Sequence, residues 1–160
     1  MMNAATADTV NLLPGEYYFG ANNTRIQTLL GSCVSVTLWH PQLRIGGMSH
    51  AMLPGRERLD QQNLDGRYAD ESIELLLREI GKHNTRPAEY QAKLFGGGSM
   101  FQQFREEGAF NVAERNVEAV RDLMEAHGFV IHTEHVGGTG HRVLIFDLSD
   151  GYVWVKHEKI

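Results

Sequence analysis

Gly31-Ser32-Cys33-Val34-Ser35-Val36-Thr37-Leu38, followed by His40-Pro41-Gln42-Leu43 and then Met48-Ser49-His50, is the stretch from which the rest of the chain can be read. Val34, Val36 and Leu38 fall on one face of an alternating strand, and Cys33 shares the other face with Ser35 and Thr37. Proline at the second position of His40-Pro41-Gln42-Leu43, with a polar residue after it, marks a β-turn. Centring that turn between Pro41 and Gln42 makes the numbers of facing residues sum to 83, which sets Cys33 opposite His50. Directly opposed side chains of an antiparallel pair have Cβ atoms about 4.5–5.5 Å apart. At that range an imidazole nitrogen can take the proton of a thiol, and a Cys/His pair is the minimal machinery of thiol-based acyl transfer.

Cys33 is the one cysteine of the chain, and a lone cysteine is ordinarily a small buried hydrophobe. Its place on the less apolar face, beside the Gly31-Ser32 turn, speaks for a nucleophile instead. The pairing depends on register, because a bulge or a longer loop would separate the two residues. Ser32 and Ser35 are hydroxyl alternatives, less economical beside a softer thiol.

The composition narrows the class of protein. A chain of 160 residues fits one domain and suffices for a substantial core. An apolar fraction of 42% with 22% charged residues is that of a globular protein. A net charge of −5 with scattered lysine and arginine offers no basic stripe for nucleic acid. No apolar run approaches the roughly 20 residues of a membrane helix, so membrane insertion is not expected. Met1 to Asn11 lacks the basic and apolar segments of a secretory signal. A single cysteine leaves no internal disulfide, which fits a reducing cytoplasmic location.

Residues 1–13, rich in alanine, threonine and asparagine, read as a flexible lead, and 14–160 as the folded domain. Gly15 to Gly20 reads as an edge strand, and the polar Gly55 to Ala69 as a surface loop, either a lid or a solvated linker. Ile73, Leu76, Leu77 and Ile80 recur with helical period, predicting a helix over 71–82. Gln91 to Phe95 is a short strand broken by Gly96-Gly97-Gly98. A second helix begins with Asn111 as cap and Glu114 three residues on, buries Val117, Val120 and Met124, and ends at Gly128. Strands follow at 129–134 and 141–148, and Asp150-Gly151 turns the chain into a final hairpin strand. The fold class is α+β: a single layered domain in which a mixed or antiparallel β-sheet packs against two main α-helices as an α/β sandwich.

Gly96 to Gly98 is followed by no Lys-Ser/Thr, so the run reads as a close backbone approach near the hairpin rather than a phosphate cradle. His132, His135 and His141 fall on strand and loop without metal-ligand spacing, and read as surface or structural residues. No metal and no organic cofactor is expected.

Thr28-Leu29-Leu30-Gly31-Ser32-Cys33-Val34-Ser35-Val36, with Ile45-Gly46-Gly47-Met48-Ser49-His50-Ala51-Met52-Leu53-Pro54, resembles the chemoreceptor glutamine deamidase family, CheD. The likeness continues through Lys93 to Phe101, Arg115-Asn116-Val117 and Val136 to Arg142, covering roughly residues 14 to 157. What the resemblance implies is hydrolysis of glutamine side-chain amides in methyl-accepting chemotaxis receptors, with Cys33 as nucleophile and His50 as base. It also implies a threonine upstream of the cysteine that orients the imidazole. Gln27 stands six residues before Cys33 and Thr28 follows it, so either the strand shifts and Thr28 serves, or the Gln27 amide does. Thr28 is the choice made here. The family further implies a CheC-type phosphatase as a partner. Two other readings stay open: a docking module that regulates receptor or phosphatase without catalysis, and a thiol hydrolase acting on receptor methyl esters.

Overall fold

In the computed structural model, which describes residues 8–59, 63–100 and 111–160, the strand read from residue 34 onward is buried on both faces. The reason is its place in the middle of the middle layer. Among the described residues the strands are β1 (Asp8–Leu12), β2 (Tyr17–Ala21), β3 (Thr24–Leu30), β4 (Val34–His40), β5 (Ile45–Ser49), β6 (Gln91–Gly96), β7 (Ile131–Val136), β8 (His141–Asp147) and β9 (Val153–Glu158). The helices are α1 (Ala69–Lys82) and α2 (Val112–Ala126). A five-stranded sheet has the order β2-β5-β4-β6-β7, and a four-stranded sheet the order β1-β3-β8-β9. Both are mixed, because β6 runs parallel to β7 and β1 parallel to β3.

Val34, Val36 and Leu38 of β4 pack with Ile73, Leu76, Ile80, Val117, Val120 and Met124 of the helices. The opposite face of the same sheet contributes Met48 and Phe95, which meet Ile26, Leu30, Leu144 and Phe146 of the second sheet. The order of layers is therefore helices, five-stranded sheet, four-stranded sheet. The α+β reading holds, with a second sheet beyond the one expected. Ser35 and Thr37, expected on a less apolar face, are buried because that second sheet covers them.

The helices follow their periodicity. Asn111 Oδ1 accepts the Glu114 N–H at 3.1 Å, as the cap pattern predicts, and Gly128 leaves α2 at φ 87°. α1 starts two residues earlier than read, at Ala69. The described part of the 55–69 loop is fastened to that helix. The buried Glu71 carboxylate takes the Arg56 guanidinium at 2.9 and 3.0 Å and the Asp65 N–H at 3.0 Å, and Met52 and Leu53 donate to the Arg67 carbonyl.

Two expectations need correction. The lead at 1–13 is not unstructured throughout: Asp8–Leu12 forms β1, paired in parallel with β3, and Leu12 is buried between the sheets. Residues 1–7 lie outside the described residues. The hairpin register is also different. Pro41 to Arg44 make a four-residue loop in which Arg44 takes φ 54°, its N–H bonds to the His40 carbonyl at 2.8 Å, and the Leu43 N–H bonds to His40 Nδ1 at 3.1 Å. Facing residues are Thr37 and Met48, Leu38 and Gly47, Trp39 and Gly46, so their numbers sum to 85. A slip of two leaves every side chain on its predicted face, whereas a slip of one would have reversed them all.

Tight strand contacts and open helix positions give the same substitution opposite signs. Gly46→Ala would drive a Cβ into the Leu38 carbonyl of the adjacent strand, and is expected to cost about 1–3 kcal/mol. Gly81→Ala, with open space around the added carbon on exposed α1, is expected to stabilise by about 0.5–1 kcal/mol. Urea unfolding midpoints of the two variants against the parent check both signs.

Candidate active site

The loop between β3 and β4 is held by its carbonyls. The Gly98 N–H bonds the Gly31 carbonyl at 3.0 Å, Asn116 Nδ2 bonds the Ser32 carbonyl at 3.1 Å, and the Gly97 N–H bonds the Cys33 carbonyl at 2.9 Å. Two of the three donors come from the glycine run after β6. Gly96 sits at φ 106°, and an added Cβ there would overlap the Cys33 carbonyl oxygen, so only glycine allows the approach. The run is thus the close backbone contact that its composition suggests. With its carbonyls occupied, the loop leaves the Cys33 N–H without an acceptor among the described residues.

Cys33 is half-buried and is a free thiol. It precedes Val34, which exchanges two backbone bonds with Ala51 at 3.0 and 2.9 Å. His50 precedes Ala51. Cys33 and His50 therefore lie diagonally across this pair, on the face that looks toward the second sheet. Such diagonal neighbours are about 7–8 Å apart, still within reach of an aromatic or long side chain. The register predicted from the turn had them directly opposite; the longer loop makes Ser35 the residue opposite His50 and moves Cys33 to the diagonal.

The second sheet supplies the third group. His50 is buried, at 1% exposure, and its Nδ1 lies 2.7 Å from Thr28 Oγ1 on β3. Thr28 Oγ1 in turn lies 2.8 Å from the Leu12 carbonyl of β1. A carbonyl only accepts, so the one hydroxyl hydrogen of Thr28 goes to Leu12, and Thr28 must accept from the imidazole. His50 consequently carries its proton on Nδ1. Its Nε2, an acceptor in that tautomer, is buried with no partner among the described residues. Gln27 lies on the other face of β3, so the bond to His50 falls to Thr28.

Burial moves both titrating groups toward their neutral forms. Loss of solvent lowers the His50 pKa from its ordinary value to about 4 and raises that of the Cys33 thiol. At neutral pH the resting pair is an uncharged thiol beside an uncharged imidazole. The imidazole can act as a general base during attack, and no stable ion pair is needed beforehand.

Three buried side-chain atoms lack hydrogen-bond partners among the described residues: His50 Nε2, Ser35 Oγ and Asn116 Oδ1. All three belong to residues beside the Ser32–Cys33 turn or bonded to it, and unsatisfied buried groups of this kind ask for a functional explanation. Ser35 is fully buried, out of reach of a macromolecular substrate, whereas Cys33 is accessible. Asn116 stands in the sequence as part of the Arg115-Asn116-Val117 motif, and its polar side chain on the apolar stripe of α2, one residue before Val117, is the signal of its role. His135 accepts a bond from buried Arg142 at 2.8 Å and stands edge-on to His157 at 5.5 Å between ring centroids. Among the described residues no group of three His, Cys, Asp or Glu side chains is placed to hold a metal ion.

The family model described as CheD chemotactic sensory transduction matches residues 52–157. The interval takes in Asn116, Gly96-Gly97-Gly98 and Gly137-Gly138, and starts just past His50. A protein of Pseudomonas savastanoi pv. phaseolicola named probable chemoreceptor glutamine deamidase CheD is 53% identical over 146 residues, which are 91% of this chain and 82% of that one. One of the same name from Pseudomonas syringae pv. tomato is 48% identical, over 100% of this chain and 95% of that one. Among solved structures, the Bacillus licheniformis hypothetical protein YfiH is similar with a TM-score of 0.47 and 12% identity, over 75% of this chain and 49% of that one. A family match over more than half the chain, together with relatives near 50% identity along almost all of it, places the protein in the CheD family.

Proposed function

We propose that this protein is a cysteine-dependent glutamine deamidase acting on the cytoplasmic regions of methyl-accepting chemotaxis receptors. One observation carries the proposal: Thr28 holds His50 in the tautomer that leaves Nε2 as an open acceptor, on the sheet face shared with Cys33. The names of the relatives supply the substrate.

The chemistry uses only groups already described. Cys33 Sγ attacks the carbon of a glutamine side-chain amide while His50 Nε2 takes the thiol proton. The oxyanion that forms is met by the Cys33 N–H, a donor with no competing acceptor among the described residues. His50 returns the proton to the amide nitrogen, the C–N bond breaks, and ammonia leaves a thioester on Cys33. Water, deprotonated by His50, attacks that thioester, releasing glutamate and the free thiol. Throughout, Thr28 accepts from Nδ1–H and keeps Nε2 aimed.

The proposal extends to a CheC-type phosphatase as partner and to a cytoplasmic location, and membership of the CheD family supports both. Among the described residues no helix is long and apolar enough to cross a membrane.

The deciding measurement is peptide mass spectrometry of a receptor cytoplasmic fragment after incubation with the parent protein, Cys33→Ala and His50→Ala. Glutamine-to-glutamate conversion is expected with the parent alone. Binding without conversion by any of the three would favour a docking module. A parallel assay on a receptor methyl ester separates amide hydrolysis from ester hydrolysis.

Thr28 can be tested separately. Thr28→Val removes the acceptor at Nδ1 and is expected to lower kcat by about 10²-fold, the lower range of what a positioned base contributes. Thr28→Ser should recover most of that loss. A Thr28→Val variant with parental kcat would remove Thr28 from the mechanism.

The pH profile follows from the lowered His50 pKa. The neutral base predominates above about pH 4 rather than above 6.5, so kcat/KM is expected to stay level from pH 7 down to 5.5 and to fall as the pH approaches 4. An acid limb centred at 6.5 would show instead that His50 has its ordinary pKa.

A further inference from the structure

One side chain of α2 touches both halves of the candidate site. Asn116 is fully buried, and its Nδ2 donates to the Ser32 carbonyl at 3.1 Å and to the Met52 carbonyl at 2.9 Å. Two carbonyl oxygens can only accept, so both hydrogens of the amide are engaged and the orientation of the side chain is settled. A flipped amide would set its oxygen against both carbonyls. The Oδ1 atom meanwhile has no partner among the described residues. A buried amide that uses both donors and leaves its acceptor unmatched is a poor device for packing alone, since an apolar side chain would fill the same space without stranding a polar atom.

What the two carbonyls belong to gives the arrangement its meaning. The Ser32 carbonyl shares a peptide plane with the Cys33 N–H, and in a trans peptide the two point in opposite directions. The described residues include no cis peptide bond. Fixing the Ser32 oxygen therefore fixes the direction of the Cys33 N–H. Gly98 and Gly97 hold the peptide units on either side, by the Gly31 and Cys33 carbonyls, but neither touches the plane that carries this N–H. Asn116 alone among the described residues bonds the Ser32 oxygen. Its second bond, to Met52, reaches the segment two residues beyond His50.

We propose that Asn116 is a positioning residue: through the Ser32–Cys33 peptide it aims the Cys33 N–H at the developing oxyanion. The inference rests on the deamidase reading and adds to it a group on α2, distant in sequence from Cys33 and His50.

Two reactions of the same thiol separate this role from a merely structural one. Deamidation builds negative charge on a carbonyl oxygen and needs the N–H. Alkylation by iodoacetamide does not: Sγ forms a bond to the methylene carbon, iodide leaves, and the thiol proton passes to His50 or water. In the whole chain, Asn116→Leu keeps the approximate size and removes both donors, and Asn116→Ala removes the amide altogether. Deamidation of a receptor fragment is expected to lose about 10²-fold in kcat, as a small misplacement of catalytic geometry does, with KM little changed. The rate of Cys33 alkylation is expected to stay within about twofold of the parent, since its chemistry makes no oxyanion. Parallel loss of both rates, or a kcat equal to the parent's, overturns the proposal. Should either variant fail to fold, Asn116→Ser keeps one donor in a smaller side chain and is read by the same two rates. A parent protein that converts no glutamine overturns the deamidase reading together with this one, whereas an active parent with unaffected variants overturns this one alone.

Discussion

Everything in this structure hangs on β4 having no free face. Its Val34, Val36 and Leu38 side chains go to the helices, and Trp39 packs on the core between the sheets. Both cores are thus assembled on one strand, and the point where that strand begins is fixed by packing from two directions. Cys33 sits at that point, one residue before the ladder starts. The proposed nucleophile is held there by the fold, and it remains half-buried rather than enclosed. The glycine run after β6 closes the arrangement from the side, with main-chain donors in place of side chains.

His50, the proposed base, depends on a different constraint, a chain of two hydrogen bonds across the gap between the sheets. Leu12 of β1 accepts from Thr28 of β3, and Thr28 accepts from His50 of the other sheet. The direction of both bonds follows from a single hydroxyl hydrogen. A carboxylate in the place of Thr28 would favour the imidazolium by its charge; a neutral hydroxyl does not, and burial then leaves the His50 pKa at about 4. The site therefore keeps the correct tautomer while avoiding a standing pair of buried charges, whose desolvation is expensive. It also explains why a short parallel edge strand matters. Without β1 there is no carbonyl to claim the Thr28 hydrogen, and the tautomer of His50 would be undetermined.

Much of this was legible in the chain and some was not, for reasons that differ from residue to residue. The helices announced themselves because Ile73, Leu76 and Ile80, and Val117, Val120 and Met124, face one core on a regular period. The faces of Cys33 and His50 were legible because alternation survives an even slip of register. The register itself was not, because it turned on a left-handed Arg44, a conformation with no reliable signature in a residue of that type. β1 escaped notice because five residues pairing in parallel with a strand beyond the next one leave only a weak alternation, Val10 and Leu12. The choice between Gln27 and Thr28 could not be made from spacing alone. The pleat of β3 turns Thr28 inward and Gln27 outward, which sets Thr28 Oγ1 against His50 Nδ1.

The corrected register also sharpens the choice of nucleophile. Ser35, not Cys33, stands opposite His50, and its hydroxyl is buried with no partner among the described residues. Proximity alone would favour the serine. Two physical facts run the other way. Ser35 is enclosed between β4 and the second sheet at 0% exposure, so a glutamine presented by another protein cannot reach it without opening the core. Cys33 is half-buried, carries an N–H with no acceptor among the described residues, and offers a thiol, which needs less help from a weak base than an alcohol does. A base whose own pKa lies near 4 is poorly matched to deprotonating a hydroxyl. The low pKa of His50 and the proposed use of sulfur are compatible: burial keeps the imidazole neutral, and a weak base is better suited to a thiol than to an alcohol.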